Sequence, residues 1–142
     1  NAMTKANLKH GEEIFFGRGT CFACHQVKGK GVPIGPDMNG INKRRDADYV
    51  IRSIVLPDEY IVEGFQQTSL EMNDGRKLFG MIQEETEQTV KIYLLTGQQI
   101  SVNTKDIRKR NDAKKSSMPG NFSHTLSAQD VADVTAWIMQ LK

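Results

Sequence analysis

Cys21-Phe22-Ala23-Cys24-His25 is the stretch on which the reading of this chain turns. It holds both of the chain's cysteines. Two thiols with two residues between them reach the two vinyl groups along one edge of a porphyrin. A histidine directly after the second thiol then points its ring at the iron, and Cys-x-x-Cys-His is the attachment signal of a c-type haem. The expectation is one covalent haem c on Cys21 and Cys24, with His25 on the iron. A thioredoxin-like pair would sit beside a βαβ pattern, and the surroundings read as helix, loop, loop. A structural zinc site wants four ligands, usually in two paired sets, and no second pair exists. A disulfide between Cys21 and Cys24 would close a loop too small to stabilise much.

Working outward, Ala6 to Gly17 reads as a first helix with Leu8, Ile14 and Phe15 as its apolar residues. Gly11 offers a site for close helix approach, and Gly17 and Gly19 end the helix. Gln26 to Ile41 is loop, rich in Gly and Pro. Asp46 is placed to cap a helix through Val55, stopped by Pro57. The last helix has Ser127 as N-cap and Asp130 three residues on, a variant capping box. Leu126 and Val131 are spaced for a hydrophobic staple. Val134, Trp137, Ile138 and Leu141 continue the stripe, with Trp137 expected as a core anchor against the first helix. Between Phe65 and Arg110 the period changes to two. Asn73-Asp74-Gly75 and Thr96-Gly97 mark turns, and four or five antiparallel strands fit, the last a short one near Ile107.

The chain has 142 residues, 38% apolar and 25% charged, with a formal charge of +2. That balance is too mild to imply nucleic acid or an anionic membrane, and no window approaches the roughly 20 apolar residues of a membrane span. Asn1-Ala2-Met3 reads as the remnant of a cleaved tag, so a missing secretion signal does not indicate the cytoplasm. In bacteria, haem is attached outside the cytoplasmic membrane, which points to a periplasmic or exported protein.

Electron-transfer haems usually have both axial positions filled, and Met with His raises the potential. Met118, in Ser116-Ser117-Met118-Pro119-Gly120, lies on a loop just before the final helix and is the expected distal ligand. His124, His10 and an open site are the alternatives. An open site would make the chain a haem sensor or a peroxidase-like enzyme. Lys105, Arg108, Lys109, Arg110, Lys114 and Lys115 precede Met118 as a basic stretch, either a steering face for an acidic redox partner or a solvated loop. Lys43, Arg44 and Arg45 are three candidates for the haem propionates.

The order helix, Cys-x-x-Cys-His, Gly-Pro loop, helix, Met-Pro loop and C-terminal aromatic helix resembles class I cytochrome c. More narrowly, the chain resembles the Pirellula-type haem-binding domains of planctomycetes and related bacteria. The matching residues are Gly35-Pro36-Asp37, Tyr49 to Pro57, Glu63-Gly64-Phe65, Asp74-Gly75-Arg76 with Gly80, Ser117-Met118-Pro119, and Leu126 to Trp137. Phe65, where a tyrosine is common, and the turn Gly120-Asn121-Phe122 depart from the pattern. The resemblance implies a Pro36 carbonyl that accepts a hydrogen bond from the His25 ring. It also implies an electron carrier rather than an enzyme in its own right, serving a redox partner protein or a fused dehydrogenase domain.

The expected fold is a mainly α cytochrome c fold, three to four helices around one haem, with an inserted small antiparallel β unit of four to five strands. Residues 4–64 and 111–142 would form the haem domain and 65–110 the inserted subdomain.

Overall fold

A computed structural model describes residues 1–142. Two compact units share the chain: Asn1–Glu59 with Met118–Lys142, and Tyr60–Ser117. No helix is long and apolar enough to cross a membrane.

The first unit is helical. Helix α1 (Leu8–Phe16) starts at Asn7, whose side chain accepts from the His10 N–H. Helix α2 (Ala47–Val55) is capped by Asp46, which accepts from the Tyr49 N–H at 2.8 Å. A short helix α3 (Phe122–Thr125) precedes α4 (Ala128–Met139). Helix α4 opens with the reciprocal bonds of a capping box. The Asp130 N–H donates to Ser127 Oγ at 3.1 Å, and the Ser127 N–H donates to Asp130 at 2.8 Å. Each such cap satisfies helix-end donors that have no partner within the helix.

Helices α1 and α4 pack at close range because Gly11 has no side chain. A Cβ there would lie 2.1 Å from the Asp133 carbonyl oxygen. The approach lets Trp137 fit against α1, with its ring 5.1 Å from Phe15 and 5.8 Å from Phe16. Ile14, Val131, Val134, Ile138 and Leu141 complete the apolar core with Val27, Met38, Ile41, Val50, Ile54, Phe122 and Leu126.

Two buried acids stitch the same helix pair. Asp133 accepts from the Asn7 N–H at 2.9 Å, from His10 Nδ1 at 2.7 Å and from the Gln129 side chain at 2.8 Å. Asp130 meets the Arg18 guanidinium at 2.5 Å. Burial alone would push both carboxyls up. The donors facing them outweigh it, Ser127 and Arg18 for Asp130 and His10, Asn7 and Gln129 for Asp133, and hold both below the ordinary value of 3.8.

The second unit is an antiparallel sheet of β1 (Gln66–Met72), β2 (Lys77–Glu85), β3 (Thr89–Leu94), β4 (Gln99–Asn103) and β5 (Ile107–Ser116), in the order β4-β3-β2-β1-β5. Strands β4 and β5 hold opposite edges, yet only the 3-10 turn Thr104–Asp106 joins them. A flat sheet would separate those edges by about 19 Å, whereas a connection of that length spans about 14 Å even when extended. The sheet therefore rolls into a small, partly closed barrel. Register shifts in β1–β5 and in β2–β3 add local twist. Alternate residues fill its interior: Leu70, Met72, Leu78, Val90, Ile92 and Val102 are buried together. Arg110 on β5 reaches Glu85 at the end of β2 and also Asp112, which accepts from Thr68 Oγ1 at 2.7 Å.

The expected mainly helical fold with a small β insertion is therefore wrong. Helix makes up 33% of the chain and strand 27%, so the architecture is mixed α and β. The difference is physical. Strand β5 runs ten residues, to Ser116, where the sequence suggests only a short strand near Ile107. Its exposed, charged residues show no apolar alternation, and pairing with β1 rather than burial keeps it extended.

Gly11→Ala is expected to cost about 1–3 kcal/mol in urea unfolding, from overpacking of the α1–α4 contact. Because Asp130 and Asp133 titrate below their unfolded values, the stability they contribute is complete above pH ~4 and is lost as pH falls through the folded values. Asp133→Asn should lower stability at neutral pH by about 1–3 kcal/mol and flatten the acid limb of the stability–pH curve. An unchanged acid limb would show that Asp133 does not contribute to it.

Candidate functional site

The Cys-x-x-Cys-His stretch lies directly beyond α1, and backbone bonds decide its shape. The Gly19 N–H donates to the Ile14 carbonyl at 2.9 Å, ending the helix. Thr20 then takes φ 53°, a left-handed conformation that β-branched residues rarely adopt. The chain turns into a 3-10 segment, Cys21–Ala23. The N–H groups of Cys24 and His25 both donate to the Cys21 carbonyl, at 3.1 and 2.9 Å. One turn thus carries both thiols and the imidazole.

Cys21 and Cys24 are unbridged and half-buried. Burial pushes the Cys21 thiol up to about 11 and raises that of Cys24 as well. A dithiol exchange site depends on a depressed thiol pKa, so this pair is poorly suited to thioredoxin-like chemistry. It offers two neutral thiols on one edge. No three His, Cys, Asp or Glu side chains converge as a metal-ion set.

His25 Nδ1 lies 2.7 Å from the Pro36 carbonyl oxygen. A carbonyl only accepts, so Nδ1 carries the proton and the lone pair of a neutral ring is at Nε2. Burial lowers the imidazole pKa, and the Pro36 bond only partly opposes that, so the neutral form is favoured. The ring lies close against Gly35. A Cβ there would meet His25 Cε1 at 2.7 Å and Nδ1 at 2.9 Å, so this residue must lack a side chain for the ring to pack.

Met118 is half-buried and packs on the apolar cluster of the helical unit, beside which Cys21 and Tyr49 also lie. Met38 is buried within that cluster, and its N–H is bonded to the Gln26 carbonyl. Of the alternative ligands, His124 is exposed on α3 and His10 is held by Asp133. Met72 and Met81 are buried in the β unit.

The three consecutive cations take different positions. Arg44 donates to the backbone carbonyls of Asp37 and Asn39, Arg45 lies over the Tyr49 ring at 4.7 Å, and Lys43 is exposed. Nothing in their sequence separates them. Their places depend on how the 3-10 turn Ile41–Lys43 directs the chain.

These residues fit a covalently held haem. They comprise two neutral thiols on one turn, an imidazole with a fixed tautomer, a cradle that a Cβ would fill, and an apolar cluster with a thioether at its margin. The family model described as Cytochrome c matches residues 8–142. No curated protein matches the chain.

Gly35→Ala is expected to displace the His25 ring, cost about 1–3 kcal/mol in stability, and lengthen the bond to Pro36. NMR of the His25 Nδ1 proton checks this. A proton as strongly hydrogen-bonded as in the parent chain would contradict the role assigned to Gly35.

Proposed function

The chain belongs to the cytochrome c family, and we propose that it is a periplasmic or exported one-electron carrier with His25 and Met118 as axial ligands. Family membership brings covalently bound haem c with its iron, haem-based electron transfer, and redox partners. When bound, the haem supplies a reversible Fe(II)/Fe(III) couple. The chain's own residues supply everything else. Cys21 and Cys24 hold the group as thioethers. His25 presents Nε2 because its other nitrogen is tied to Pro36, as metal-ligating histidines usually are. Met118 offers a soft thioether from a Pro-Gly loop. The apolar cluster around Val27, Ile41, Val50, Ile54, Phe122 and Leu126 keeps water away and favours the less charged, reduced state.

The observation that carries this reading is the 2.7 Å bond from His25 Nδ1 to the Pro36 carbonyl, which fixes the imidazole for ligation. The exposed position of His124 and the engagement of His10 by Asp133 support Met118 over a second histidine. The proposed haem domain is drawn from residues 4–64 and 111–142 and the β subdomain from 65–110. The compact units meet a few residues outside those bounds. The β strands ahead of Met118-Pro119 support a place among the Pirellula-type haem-binding domains. With that place goes a role as the haem module of a larger dehydrogenase system, passing electrons rather than transforming a substrate.

In the oxidised protein, the far-red absorption band of a Met–iron bond is expected. Met118→Ala should abolish that band and lower the reduction potential, since a Met ligand raises it. Retention of the band would transfer the assignment to another methionine. Absence of the band from the parent protein would favour an open distal site and a sensor or peroxidase-like role.

A further inference from the structure

We propose that Arg44 is a positioning residue for His25: its guanidinium holds the backbone that aims the Pro36 carbonyl at the imidazole. The inference rests on the reading of His25 as an iron ligand. Arg44 Nη2 donates to the Asp37 carbonyl at 3.0 Å and Nη1 to the Asn39 carbonyl at 3.2 Å. Both acceptors lie within three residues of Pro36, whose own carbonyl is 2.7 Å from His25 Nδ1. Arg44 is fixed from behind, since its N–H closes the 3-10 turn on the Ile41 carbonyl at 2.8 Å.

The segment needs an outside hold. Asp37 braces it from within, accepting from the Asn39 N–H and the Asn39 side-chain amide, each at 2.7 Å. Asn39 Oδ1, however, is buried without a donor, and an unsatisfied buried acceptor costs about 1–3 kcal/mol. The planar fork of an arginine presents two separate nitrogens at a fixed spacing to two carbonyls, whereas a lysine offers one compact ammonium on a flexible stem. The next cation, Arg45, stacks on Tyr49 and donates to the Arg44 carbonyl.

Two consequences of removing Arg44 have opposite signs, and that makes the idea testable. A firm bond from His25 Nδ1 to Pro36 makes the imidazole a stronger donor, which stabilises the oxidised iron and lowers the potential. A nearby positive charge stabilises the reduced iron and raises it. Arg44→Lys keeps the charge and loses the fork.

In the haem-loaded protein, Arg44→Lys is expected to raise the reduction potential. It should also speed exchange of the His25 Nδ1 proton, followed by NMR, about tenfold, which corresponds to ~1.4 kcal/mol. Arg44→Ala should speed exchange equally while its potential shifts less, because the lost charge offsets the lost clamp. Unchanged exchange in Arg44→Lys overturns the proposal, whatever its potential does. Arg44 is exposed, so both variants should fold. If Arg44→Ala does not, Arg44→Lys alone carries the test. Failure of the underlying reading appears separately, as His25 ring protons without a paramagnetic shift in the oxidised parent protein.

Discussion

The Pro36 carbonyl can do only one thing with the His25 ring, which is to accept a hydrogen bond, and the site's usefulness follows from that restriction. With Nδ1 committed at 2.7 Å, the ring has one tautomer, one orientation and one free lone pair. Several otherwise unrelated features serve that bond. Gly35 leaves room for the ring face. The Met38 N–H ties the far side of the loop to Gln26, directly after His25. The left-handed Thr20 swings the chain from α1 into the turn that carries His25. A conformation that a β-branched residue rarely adopts persists only where its surroundings over-determine it, and here the Thr20 N–H bond to Gly17 and the following turn do so.

The helical unit is organised for the same end by different means. Its most buried charges, Asp130 and Asp133, lie where α1 and α4 cross, and every donor facing them comes from a helix start or an adjoining side chain. An unpaired buried carboxylate would be costly, so these acids also specify how the two helices meet. The ion pairs of the β unit are of another kind. Arg76–Asp74 and Lys91–Glu84 are exposed, and such pairs contribute little. The roll of the barrel is set instead by the short β4–β5 connection and the alternating apolar interior.

What could be read from sequence divides along the same line. Helix α4 was legible because its start is written locally, in Ser127 and Asp130, and its stripe of Val131, Val134, Trp137 and Ile138 has one period. Helix α2 was legible for the same reason, between Asp46 and Pro57. The Cys21–His25 turn is likewise local, with all its groups within five residues. Strand β5 was not legible over its length. Ile107 and Ala113 are its only apolar residues, and its extension depends on β1, some forty positions earlier. That one strand adds to the share of sheet that makes the architecture mixed rather than mainly helical. The four-residue α3 has too few residues to show a period. Arg44 was one of three adjacent cations, and only the backbone path after Gly40 distinguishes a clamp from a surface charge.

Strand β5 also bears on the basic stretch before Met118. Arg108 and Arg110 are engaged by Glu71, Glu85 and Asp112, so the cations without an ion partner are lysines: Lys105, Lys109, Lys114 and Lys115. Three of these four lie on a sheet edge ten residues long. An edge of that length presents unpaired backbone groups to any other chain, and natural sheets blunt such edges with lysine. The bland reading of this stretch as a solvated loop is therefore replaced, because the residues form a paired strand. Steering of an acidic partner and protection of an exposed edge call for the same side chains. The arginines pair with acids of the same sheet, while the lysines leave its edge charged.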